Sequence, residues 1–146
     1  LMRQESRFVS SARSHVGAGG LMQIMPDTAR LVARQMGESY NPAALTDMNT
    51  NIRYGTYYLS MIQNQLSNNP VLATAGYNAG PNRAKRWQPE FQSLTADQYT
   101  EAIPLLETRD YVKNVMANAT HYGVLLGQGP QSIQNRMKVI PVRNTP

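Results

Sequence analysis

The chain has 146 residues, enough for one domain that buries ~70% of its unfolded surface in a single core. It is 41% apolar and lacks cysteine, which excludes thiolate catalysis, cysteine-ligated zinc and iron–sulfur clusters. Fourteen basic residues against nine acidic ones give +5, a balance that suits a polyanionic partner (nucleic acid, a membrane surface or an anionic polymer) or simply a soluble surface.

Ala, Leu and Met supply 34 residues against 15 for Val plus Ile, and straight-chain side chains favour helix over sheet. Residues 1–8 read as the end of a helix. The opening Leu1-Met2-Arg3-Gln4-Glu5 looks like a helix interior, so a longer protein is expected upstream. A polar, Gly-rich connection follows through Gly20. A second helix is expected over 26–36, with Pro26 in its first turn, Gly37 as its stop, and Ala29, Val32, Ala33 and Met36 as its apolar stripe. A third starts near Asp47 and buries Ile52, Gly55, Leu59, Ile62 and Leu66.

Asn68-Asn69-Pro70 opens a shorter apolar helix over 71–79, and Gly80-Pro81 separates it from a basic turn at 83–87. Thr95 and Gln98 fit a capping box, and Pro104 should end the helix that follows. The last helix is expected over 108–126, with Val112, Val115, Ala119 and Tyr122 on one side. Residues 127–146 read as an extended C-terminal tail lying on the surface, packed on or near the domain. The longest uncharged stretch, 54–82, is broken by Asn, Gln, Ser and Pro, so no segment is apolar enough to span a bilayer. The sum is an all-α domain of about six short helices.

Several sites are excluded by spacing. His15 and His121 are too far apart for helix-borne metal ligands, so no metal site is expected. Gly17-Ala18-Gly19-Gly20 lacks the third glycine of a dinucleotide loop and the Lys-Thr pair of a phosphate loop. No Gly-x-Ser-x-Gly elbow is present. What remains is Glu5, followed by a segment in which three glycines in four residues allow a close backbone approach to a ligand. Met22, Gln23 and Met25 then offer adaptable apolar surfaces flanking an amide. Tyr77 and Asn78 form a second polar cluster, and such Tyr, Asn and Gln groupings suit sugars. On composition alone Glu5 is an ordinary solvated carboxylate.

The exact words change that reading. Arg3 to Phe8, Gly17 to Pro26, Asn51 to Leu59, Ala75 to Pro81 and Glu107 to Val115 stand in order and at characteristic spacing. Together they closely resemble the catalytic domain of the soluble lytic transglycosylases over roughly 1–126, with the start truncated. The resemblance implies a goose-type, lysozyme-like multi-helix domain with an active-site groove. It also implies cleavage of the β-1,4 bond between N-acetylmuramic acid and N-acetylglucosamine in peptidoglycan glycan strands. By that pattern Glu5 is the catalytic acid; Ser14, Gln23, Met25 and Tyr77 line the sugar groove; and Glu107 lies near the peptide-bearing muramyl sugar. Gly19 stands where Ser is usual and Gly76 where Ala is usual. No cofactor is implied, and a periplasmic home is.

Ordinary glycosidases use two carboxylates, whereas Glu5 is the sole one in the first two motifs. As the resemblance implies, Glu5 protonates the leaving oxygen and then deprotonates the muramyl C6 hydroxyl, which closes a 1,6-anhydro ring without water. Burial against Phe8, Met22, Met25 and Tyr77 would keep the acid protonated near neutrality. The rival readings are a hydrolytic muramidase of the same fold and a basic nucleic-acid-binding module using Arg83, Lys85, Arg86 and Trp87. An anionic wall polymer explains the same charge, so no nucleic acid is expected.

Overall fold

The computed structural model describes residues 1–130 and 132–143, which form helices joined by tight turns. In chain order these are α1 (Met2–Ser6), α2 (Pro26–Gln35), a 3-10 turn (Pro42–Leu45), α3 (Met48–Gln65), α4 (Pro70–Ala79), α5 (Pro81–Arg86), α6 (Ala96–Ala102), α7 (Leu106–Leu125) and α8 (Ile133–Arg136). Among the described residues no strand forms, only three isolated antiparallel bridges. Two compact units result, Leu1–Met61 and Ile62–Pro146, and α3 contributes to both.

In the first unit, α2 starts on Pro26 and buries Ala29, Val32 and Ala33, as its 3.6-residue periodicity requires. The expected stripe of α3 holds at Gly55, Ile62 and Leu66, which are buried; Ile52 and Leu59 are half-buried, and Asn51 and Tyr54 are buried beside the stripe. A Cβ on Gly55 would lie 2.3 Å from the Met22 sulfur, so the helix brings its glycine against the loop.

In the second unit, α4 is the core helix, buried from Val71 through Gly76 and packed on α5 and α7. Asn69 caps it, its Oδ1 accepting from the N–H groups of Val71 (3.0 Å) and Leu72 (3.1 Å). A Cβ at Gly76 would lie 2.9 Å from Ile62 Cγ2 and 3.0 Å from Leu66 Cδ1, so glycine lets those side chains press on the α4 backbone. Thr95 and Gln98 form the anticipated capping box, and α6 stops two residues before Pro104. The C-terminal segment is not extended throughout. It forms α8 and fully buries Ile140, whose N–H and C=O pair with Leu94. Asn69 Nδ2 also donates to Val139 O at 3.0 Å, and Gln88 Nε2 to Pro141 O at 3.2 Å. Ile140 lies in the short apolar run Val139-Ile140-Pro141-Val142, which has no periodicity to show which member is buried. Residues 131 and 144–146 of that expected tail lie outside the described residues.

Candidate active site

Glu5 sits half-buried on α1, a helix of five residues whose buried member is Ser6. The helix ends because Arg7 and Phe8 both take left-handed backbone, at φ 51° and 65°. Such conformations cost non-glycine residues ~1–2 kcal/mol each and persist where surrounding structure imposes them. Gln23, at φ 46°, is a third case in the same unit. The Ser6 hydroxyl donates to the Leu21 carbonyl at 2.8 Å, which ties the acid's helix to the Gly-rich loop.

That loop is built by its own polar groups. Ser14 N–H donates to Ala18 O (2.9 Å), and Ser14 Oγ accepts from Ala18 N–H (2.9 Å). Gly19 and Ile24 exchange both backbone hydrogen bonds, at 3.0 and 3.1 Å. Gly20 takes φ +76°, and a Cβ there would fall 2.1 Å from Leu45 O and 2.3 Å from Asn51 Nδ2, so no other residue fits. At Gly19 a Cβ would meet Leu45 Cβ at 3.1 Å. Gln23 Nε2 donates to Ala12 O (3.1 Å) and Gly20 O (2.9 Å). Two carbonyl neighbours fix the amide's orientation and turn its oxygen to the remaining side. Met25 is 40% exposed and Phe8 56%, so both present apolar surface. Met22, at 2% exposure, is buried and packs on Gly55 of α3.

The first unit holds three further carboxylates, each with a structural task. Asp27 pairs with Arg30 at 2.6 Å. Glu38 pairs with Arg53 and accepts from the Tyr54 hydroxyl at 3.1 Å; the Arg53 hydrogen bonds hold its carboxyl below the usual range. Asp47 accepts from Thr50 N–H at 2.8 Å at the start of α3, and Thr50 likewise lowers its pKa. Glu5 precedes Ser6, whose hydroxyl bonds the end of the Gly-rich loop.

In the second unit, Tyr77 is half-buried in the last turn of α4. Its neighbour Asn78 accepts from the buried Thr108 hydroxyl at 2.7 Å. Asn78, Arg83, Leu105, Leu106, Glu107 and Thr108 line a pocket of about 290 Å³, at which Glu107 is exposed. Asn51 and Thr108 fall inside the motifs, which assign them no role; both are buried polar residues whose partners are distant in sequence.

Residues 1–100 match the family model described as "Transglycosylase SLT domain", and residues 102–131 match one described as "Soluble lytic transglycosylase helical domain". This chain belongs to the transglycosylase SLT domain family. It is 41% identical over 133 residues to the soluble lytic murein transglycosylase of Escherichia coli K12, covering 89% of this chain and 21% of that protein. Among solved structures, it is similar to an inactive Glu-to-Gln mutant of the lytic transglycosylase Slt from Pseudomonas aeruginosa. That match has a TM-score of 0.86 at 44% identity and covers 94% of this chain and 23% of the other. The 70-kDa soluble lytic transglycosylase of Escherichia coli matches with a TM-score of 0.82 at 37% identity, over 94% and 22%. The SLT domain thus shares their lysozyme-like helical fold, and the chain spans about a fifth of the length of these relatives.

Proposed function

We propose that this SLT domain is a peptidoglycan lytic transglycosylase that cleaves the bond from N-acetylmuramic acid to N-acetylglucosamine and leaves 1,6-anhydro ends. The carrying observation is the place of Glu5 inside the matched SLT domain, on the short helix that Ser6 bonds to the Leu21 carbonyl at the end of the Gly-rich loop. The Pseudomonas relative, described as inactive with glutamine in place of one glutamate, fits a reaction that hangs on one such group.

Glu5 protonates the glycosidic oxygen as the C1–O bond breaks. The resulting carboxylate then takes the proton of the muramyl C6 hydroxyl, whose oxygen bonds to C1. The proton balance closes on one residue. Tethering gives the C6 hydroxyl an effective molarity of ~10⁵ M or above, which favours it over water. Ser14, Gln23 and Met25 position the sugar beside Glu5; Tyr77 and Glu107 are substrate-binding candidates by their motifs alone. The site's place in the periplasm follows from the substrate. Digestion of purified strands tests the proposal: anhydro-ended products support it, and reducing-end muramic acid would make the protein a hydrolytic muramidase.

A further inference from the structure

We infer that Asn51 is a positioning residue for this reaction, acting on Glu5 through the Leu21–Met22 peptide and the Ser6 hydroxyl. The inference rests on the reading of Glu5 as the acid. Leu21 C=O and Met22 N–H are the two ends of one planar peptide unit. Ser6 Oγ grips the carbonyl end at 2.8 Å, and Asn51 Oδ1 accepts from the N–H end at 2.8 Å. Asn51 Nδ2 donates to both Gly19 O and Leu45 O at 2.9 Å. The side chain is wholly buried, so its carboxamide is spent on holding this loop.

The consequence for the site follows from what else holds α1. Ser6 is the buried residue of that helix, so the peptide plane it grips sets where Glu5 stands. Gln23 hangs on the same loop through Gly20 O. One buried amide on α3 therefore fixes the acid and a sugar-facing amide together. When that grip loosens, the Glu5 carboxyl leaves the position from which it would reach the glycosidic oxygen, and the chemical step slows.

The test uses the intact protein on peptidoglycan strands, with kcat and KM measured below the melting point. Asn51→Asp keeps the shape and the acceptor for Met22 N–H but cannot donate to Gly19 and Leu45. Tyr54→Phe, on the same helix, removes a part-buried hydrogen bond to Glu38 that does not touch the loop. Asn51→Asp should lower kcat at least tenfold with KM within threefold. Tyr54→Phe should leave kcat within twofold. The inference is overturned if Asn51→Asp keeps kcat within twofold, if its loss lies in KM, or if Tyr54→Phe matches it. Should Asn51→Asp fail to fold, Ser6→Ala decides in the same way, since it cuts the link at the carbonyl end. Failure of the unaltered protein to cleave strands overturns the Glu5 reading itself, which separates the two failures.

Discussion

Glutamine matches glutamate in size and hydrogen-bonding reach but can neither give up a proton nor take one back. At position 5 both steps of the proposed reaction need that exchange, so Glu5→Gln should reduce turnover by ~10²–10⁴-fold or more, with the melting temperature little changed. Steady-state release of soluble fragments measures this, and turnover within a few-fold of the unaltered protein removes Glu5 from the role. Gln23→Ala and Tyr77→Phe should cost less, because a hydrogen bond to a neutral group is worth ~0.5–1.5 kcal/mol, or about a tenfold change in rate. Equality of either with Glu5→Gln, in a folded protein, would contradict this division of labour. The motifs single out Glu5 and Gln23 as candidates in the sequence, whereas the packing of Met22 on Gly55 of α3 leaves no sign in its neighbours. Asn51 was also hidden: its task is to satisfy backbone groups of a loop distant in sequence, and local pattern carries no record of that.

At the scale of elements, turns and caps do the positioning. Gly20→Ala places a methyl group inside the van der Waals radius of Leu45 O and Asn51 Nδ2 at a positive φ, so the loop must shift. A loss of about 2 kcal/mol or more is expected in chemical denaturation, together with loss of activity. Asn69→Ala removes the two-donor cap of α4 and the bond to Val139 O in one change. The expected cost is ~2 kcal/mol, from a cap plus one hydrogen bond. A cost below ~0.5 kcal/mol would show that the C-terminal segment does not lean on this cap. Helix positions were readable wherever a breaker and an apolar period coincide, as at Pro26 and Pro70. Around α8 they do not coincide, and the buried Ile140 is defined by pairing with Leu94 rather than by its own sequence.

For the whole molecule, charge sets the response to acid. Glu38, Asp47, Asp97 and Glu101 all titrate below their ordinary range, through hydrogen bonds from Arg53, Thr50, Thr95 and Lys113 respectively. A depressed folded-state pKa contributes stability that is full above the unfolded value and is lost as pH falls through the folded value. The melting temperature should therefore hold above about pH 5 and fall below about pH 4, the ordinary carboxylate range. Arg53→Gln should flatten part of that fall by removing the first cause of the Glu38 shift. An unchanged acid limb in that variant would contradict the assignment.

The central claim is that one glutamate and a tethered hydroxyl replace the usual pair of carboxylates, and the mass of the products tests it most directly. Purified peptidoglycan strands digested by the intact protein should give muropeptides ending in 1,6-anhydro-N-acetylmuramic acid, one water lighter than hydrolytic products and unreactive to borohydride. Reducing-end muramic acid as the main product would contradict the account, because it would require a group that activates water beside Glu5.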